Sequence, residues 1–426
     1  MKSVTSPTSI PEFPAGFRLG ATLCAHAVEG ADFASDWWHW EQRPGRIARG
    51  ETSREGADHL GRYREDADLA RRAGLNAVLV SLSWARVAPE PGRIDTEALA
   101  GYRARFDTWR ARGLEPFAVL WETAAPQWFA EAGYWRAPDA GACFLDYAAA
   151  TVDALKGGCT HWVPMARPEM WLAKACAGAW PGCRGGLPGA WRSRRCLANT
   201  LAEAVARIRA TQPGAKVGQW RGAAGYEPED PHSPWDLRAA RGIGGLSPAG
   251  FHEALARETG GACAWDFTIA SDLETRPVRF TPFRPSAGFQ RQVRAGRPLA
   301  HGACAAALRA AGEGRPVYLC FEGPATTDET ARKAAHLDHL LAAARAADAG
   351  IDVRGCFLGP LLNGFDWTSG YTRRGLVHVH RQTLARTPNP EVFMLGDIAA
   401  AGRVTPGALA RHAPEWRMKT EEDDDD

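Results

Sequence analysis

Six polar residues stand at or shortly after the ends of short apolar runs: His26, Glu122, Arg167, Glu169, Glu322 and Asp366. An ionised carboxylate accepts hydrogen bonds, and a protonated one donates, so carboxylates at working distance can serve as general acid and base. Arginine adds a fixed cation with a planar fork of donors, but it cannot cycle a proton at working pH. Gathered in one concave site, these types suit a small polar or charged ligand. Taken singly, each also has a plainer reading, and Glu122 with Arg167 would then be a self-neutralising ion pair. Trp121, Trp128, Trp171, Trp180 and Trp367 are available as stacking platforms, although aromatics in such loops often serve packing alone. Trp367 is assigned to the site and the others are left open.

Cys24, Cys143, Cys159, Cys176, Cys183, Cys196, Cys263, Cys304, Cys320 and Cys356 form no CxxC pair or ligand-like cluster. They read as free thiols, and Cys24 and Cys320 as inert residues of a barrel interior. A zinc site from Cys24, His26 and Glu122 lacks any recognised spacing, so neither a metal nor a cofactor is expected. His59 reads as structural.

The elements that must position these groups are legible as alternating apolar runs and amphipathic stretches. Eight runs read as strands: Phe17–Leu23, Ala77–Ser83, Glu115–Trp121, His161–Ala166, Lys216–Trp220, Trp265–Ala270, Pro316–Phe321 and Val353–Leu358. Between them, Tyr63–Ala73, Leu99–Arg112, Leu197–Ala210 and Asp328–Ala347 carry apolar residues at helical spacing and are rich in Ala and Arg. Such alternation predicts an α/β chain folded as a single (β/α)8 TIM barrel. The Gly- and Pro-rich segments Trp180–Gly189 and Gly222–Pro248 read as loops after strands four and five, where a barrel builds its ligand mouth. The expected organisation is an N-terminal extension over 1–12, a barrel over 13–410, and an acidic, frayed tail over 411–426.

A 426-residue chain that is 45% hydrophobic can bury a large core, which argues against disorder. Its 51 basic residues face 49 acidic ones, six of which form the run Glu421 to Asp426, so the remainder is only mildly basic and nucleic acid is not an expected partner. The terminal run reads as a solvated tail, with docking to a protein partner as the alternative. No basic segment leads into a long apolar stretch, and no window approaches eighteen uninterrupted apolar residues. A soluble cytoplasmic protein without membrane contact is expected; the oligomeric state is not legible.

Several long segments carry a closer resemblance. FPAGFRLGATLCAHAVEGA from Phe13, GADHLGRYREDADLARRAGLNAVLVSLSWARVAPEPG from Gly56, GLEPFAVLWETAAPQW from Gly113, RPVYLCFEGPA from Arg315 and IDVRGCFLGPLLNGFDWTSGYTRRGLVHVHRQTLARTPNP from Ile351 are similar, in order, to the family 1 glycoside hydrolases. That family includes many β-glucosidases, and the resemblance runs from about Phe13 to Ala401. It implies the barrel fold, but a fold does not fix a function.

Chemistry in that family rests on two glutamates whose carboxyl groups lie roughly 5–5.5 Å apart in retaining enzymes. The acid/base of its Asn-Glu-Pro motif falls on Arg167, between Ala166 and Pro168. The nucleophile of its Thr-Glu-Asn-Gly motif falls on Phe321, between Cys320 and Glu322, with Gly323 following. A side chain that holds its proton and a benzyl group cannot perform double displacement. Glu322, one residue on, should point away from Phe321's direction unless the strand end is twisted or bulged. The family's strand-two arginine falls on Leu79, and its Asn-Tyr segment after strand six on Ser271 and Asp272. An arginine without a facing carboxylate would be costly in a dry pocket, so the loss of both is consistent. Its sugar contacts fall on Ala27, Glu122, Gly359, Asp366 and Trp367, of which Trp367 alone is unchanged. Each lost hydrogen bond to a sugar removes roughly 0.5–1.5 kcal/mol.

Three readings follow. In the first, ordinary retaining β-glycosidase chemistry is lost and the mouth, with His26, Glu122, Arg167, Phe321, Asp366 and Trp367, binds a small polar or sugar-like ligand or runs altered chemistry. The second is an active glycosidase or transglycosylase using Glu322 with Glu122 or Glu169. The third is a scaffold that binds a protein partner.

Overall fold

The computed structural model describes residues 12–417 apart from 177, 183–185, 223–224, 229, 235, 238–247, 259–263, 272–273, 279–296, 299–307, 310 and 325. Asp272, Cys183, Cys263, Cys304, the acidic run and most of the expected loop after strand five therefore lie outside the described residues.

Eight parallel strands close a barrel: β1 (Arg18–Cys24), β2 (Ala77–Ser81), β3 (Glu115–Trp121), β4 (His161–Met165), β5 (Lys216–Gly222), β6 (Phe267–Ser271), β7 (Val317–Cys320) and β8 (Val353–Pro360). They are hydrogen-bonded in that order, and β8 pairs with β1 to complete the ring. Closure leaves no sheet edge exposed. Every expected run became a barrel strand, with ends shifted by up to two residues.

The interior holds Leu79, Phe117, Val163, Phe267, Ile269, Tyr318 and Phe357 among other buried side chains. Glycines make room for the rings. A Cβ on Gly20 would lie 2.6 Å from the Phe357 ring, and one on Gly218 would lie 2.1 Å from that of Phe267. Small residues facing large ones are what a close-packed barrel interior needs.

Helices sheathe the barrel: α1 (His59–Arg72), α2 (Thr96–Ala111), α3 (Ala140–Leu155), α4 (Pro168–Cys176), α5 (Gly186–Thr211), α6 (Pro248–Glu258), α7 (Glu329–Asp348), α8 (Glu391–Ala401) and α9 (Pro406–His412). Several begin on side-chain caps: Asp95 accepts from the Ala98 amide, Asp328 from Thr330 and Thr405 from Ala408. Helix α5 begins before the expected Leu197 and absorbs the end of the predicted loop. Pro188 falls in its first turn, where a missing N–H costs nothing. At the other end, α9 runs past the expected boundary at 410, and the Trp416 indole donates to Asp338 on α7 at 3.0 Å. Residues 411–417 are thus anchored on the barrel rather than part of a free tail. Among the described residues, no helix is long and apolar enough to cross a membrane.

Candidate functional site

A cavity of about 340 Å³ opens at the carboxyl ends of the strands, where barrel enzymes place their sites. Glu122, Arg167, Lys174, Glu322, Asp366 and Arg374 supply its charged lining, and Trp180, Trp220, Trp367, Phe321 and Phe365 its aromatic lining.

Arg167 is the second residue beyond β4 and adopts a left-handed φ of 44°. A non-glycine residue there is strained by roughly 1–3 kcal/mol, and its backbone bonds hold it in place. Its amide donates to the Trp220 carbonyl at 3.0 Å, and its carbonyl accepts from Met170 and Trp171 as α4 begins. The guanidinium lies 5.4 Å from the Trp220 ring centroid, and its Nη1 is 3.4 Å from Glu322 Oε1. Strands β4 and β7 are separated in the ring by β5 and β6, so this ion pair spans the mouth.

Glu322 follows β7 and turns into the mouth, with 61% of its side chain exposed. Its second oxygen lies 3.8 Å from Arg374, whose Nε is 3.7 Å from Asp366. Burial raises the Asp366 pKa, and the nearby Glu322 charge adds to the shift. Phe321 faces the other way: its ring stacks on His339 of α7, with centroids 3.7 Å apart and planes 7° from parallel. Burial lowers the His339 pKa to about 4, so the ring under Phe321 is neutral at pH 7. Phe321 borders the cavity, but its aromatic face is committed to packing against the outer helix. The expected alternation of Phe321 and Glu322 is what the strand end shows.

Glu122 directly follows β3 and lines the cavity, accepting a hydrogen bond from Ser81 Oγ at 2.7 Å. It is not the ion-pair partner of Arg167 that the plainer reading expected. Beside it, burial and the Glu122 charge push the Cys24 thiol well up, which leaves it unsuited to be a nucleophile.

Two expected site residues sit elsewhere. Glu169 does not line the cavity; it is 2% exposed, its Oε1 accepts from the Gly222 amide at 2.8 Å and its Oε2 is 3.8 Å from His252. The first turn of α4 carries it behind the mouth, and burial raises its pKa to about 7. His26 lies beneath the lining, stacked on Trp367 with centroids 5.3 Å apart and planes 2° from parallel. Burial alone would lower its pKa, but Asp32 at 3.8 Å and Glu41 at 3.6 Å prevail and hold it up at about 9. The imidazolium supports Trp367 from below instead of meeting a ligand.

Among the tryptophans, Trp121 and Trp171 are fully buried in the outer core, and Trp128 donates to the Ala88 carbonyl. Trp180 joins Trp367 at the mouth. Trp220, Lys174 and Arg374 were missed by sequence reasoning. Arg167, Met170 and Lys174 all line the cavity and are spaced three and four apart, so helical periodicity after strand four was a usable signal. Gly359, with φ of 91°, packs its backbone on Gly323, where an added Cβ would lie 2.8 Å from the Gly323 amide nitrogen. No larger residue fits there without moving the β7 turn. Leu79 is 1% exposed inside the barrel, a place where an arginine would need a counter-charge. His59 is structural as expected, bonded to Asp66 at 2.8 Å. Among the described residues, no group of three or more His, Cys, Asp or Glu side chains is arranged to hold a metal ion.

A model of glycosyl hydrolase family 1 matches residues 10–258 and 314–401. Beta-glucosidase A of Thermotoga maritima is 24% identical, over 89% of this chain and 95% of its own. Probable inactive beta-glucosidase 14 of Oryza sativa subsp. japonica is also 24% identical, over 89% of each chain. The solved beta-glycosidase from Pyrococcus horikoshii superposes with a TM-score of 0.80 at 25% identity, over 94% of this chain and 98% of that one.

Proposed function

Because this chain belongs to glycosyl hydrolase family 1, we propose that it keeps the family's cup as a binding site for a small, polar, sugar-like ligand while double displacement is lost. One observation carries the reading. Arg167, which the family resemblance pairs with the acid/base, makes an ion pair with Glu322 across the mouth, while Phe321, paired with the nucleophile, turns its ring toward α7. A retaining reaction needs two carboxylates facing the anomeric carbon from roughly 5–5.5 Å apart. Neither position supplies one. What remains is a floor of Trp367, a wall of Trp180 and charged groups able to bond hydroxyls.

A second reading is favoured by a specific observation: Glu322 and Glu122 line the same cavity, so a relocated carboxylate pair would have access to a substrate. Glu169 leaves that reading because it faces away. Against it, both oxygens of Glu322 lie near arginines. Aryl β-glycosides offered to the purified chain distinguish the two. No turnover, together with calorimetric binding of a methyl glycoside, is the expected outcome. Turnover that disappears in Glu322→Gln would establish the relocated pair instead.

A further inference from the structure

The mouth's three carboxylates are not alike. Glu322 lies between Arg167 and Arg374, and Asp366 lies beside Arg374. Glu122 has no lysine or arginine within ion-pairing distance among the described residues. Its near neighbours are neutral: the Ser81 hydroxyl at 2.7 Å and the Cys24 thiol, kept protonated by its raised pKa.

This carboxylate is also held in position. It stands at the corner where the ends of β1, β2 and β3 meet, since Cys24 pairs in register with Ser81 and Ser81 with Val119. Ser81 pins one of its oxygens, and the side chain lines the cavity. Trp367, beyond the adjacent β8, provides a flat apolar face in the same cavity, itself backed by the His26 imidazolium. A half-enclosed carboxylate without a protein counter-charge attracts a ligand cation more strongly than a neutral hydroxyl, because charge–charge attraction is less screened there than in water.

We infer that Glu122 is the recognition residue for an ammonium group, and that the ligand class is an amine-bearing, sugar-sized ring seated on Trp367. The inference rests on the binding reading above and narrows it. The ammonium supplies the cation that Glu122 lacks, and the ring hydroxyls meet the already neutralised Arg–carboxylate side of the mouth. Preference for a positive ligand in a cavity that also holds three cationic side chains is thus set by which charges the protein has already answered, rather than by the net charge of the lining.

The test is calorimetric titration of the full chain at pH 6.5 with methyl β-glucoside and its 2-, 3-, 4- and 6-amino analogues, repeated with Glu122→Gln and Glu122→Asp. At least one amino analogue should bind tenfold or more tightly than the neutral parent. That advantage should vanish in Glu122→Gln and partly return in Glu122→Asp, with thermal melting verifying that both variants are folded. Equal binding of the parent and every analogue would overturn the ammonium assignment and leave the binding reading intact. An amino advantage that survives Glu122→Gln would also overturn it. Failure of the whole panel to bind would overturn the binding reading and the inference together.

Discussion

Two sets of arginine–carboxylate contacts divide this molecule into a dry frame and a wet mouth. In the frame, Arg332 of α7 reaches Glu391 at the start of α8 and also donates to the carbonyls of Pro324, Thr326, Arg373 and Gly375. Arg386 meets Asp66 of α1 at 2.9 Å, with both side chains fully buried. In the mouth, Arg167, Glu322, Arg374 and Asp366 approach only to 3.4–3.8 Å, and Glu322 is mostly exposed. Short, buried, multiply bonded pairs lock one element to another. Long pairs with one exposed partner leave donors and acceptors with capacity for a ligand. The same two residue types therefore serve structure or binding according to how much water reaches them.

The largest expected effect lies in the frame. Arg332→Met strands the buried Glu391 carboxylate and should lower stability by about 3–5 kcal/mol, read by urea denaturation. A loss below about 1 kcal/mol would break the contrast between frame and mouth.

Next comes Glu169, buried like the frame but facing no short cationic contact. Its folded pKa of about 7 lies above the ordinary carboxylate value, so its contribution is present below about pH 4.5 and lost as pH rises through 7. His26 acts in the same direction: held at about 9, it contributes fully below about pH 6.5 and progressively less as pH rises through 9. Thermal stability should therefore fall between pH 6 and 9.5. Glu169→Gln should gain about 1–3 kcal/mol relative to the parent chain on going from pH 5 to pH 9, since only the parent ionises a buried acid. A constant difference between the two chains across that range would refute the assignment.

The smallest effect on stability belongs to the mouth. Glu322→Gln and Arg374→Met should each change unfolding free energy by less than about 1 kcal/mol, because their contacts are long and the shared partner Glu322 is 61% exposed. Trp367→Ala, in contrast, should weaken binding of a methyl glycoside or its amino analogue at least tenfold by removing the floor. A strong stability loss in Glu322→Gln would assign the mouth ion pairs to the frame.

Much of the molecule was determined by its sequence alone. Eight apolar runs marked eight strands because each barrel stave must be buried on both faces, and helical spacing marked the sheath because each helix buries one stripe. That Arg167 and Phe321 carry no carboxylate was also legible, since it is a fact of residue type. Tertiary structure alone decided which polar groups meet. Glu169 and Glu322 are alike in sequence, but a helical turn carries one behind the mouth and the strand's alternation carries the other into it. His26 went beneath Trp367 because two buried carboxylates draw it there. Arg374 joined the site from the segment beyond β8. Charge pairing depends on distance and on access of water, and neither is set until residues far apart along the chain are brought together by the closing of the barrel.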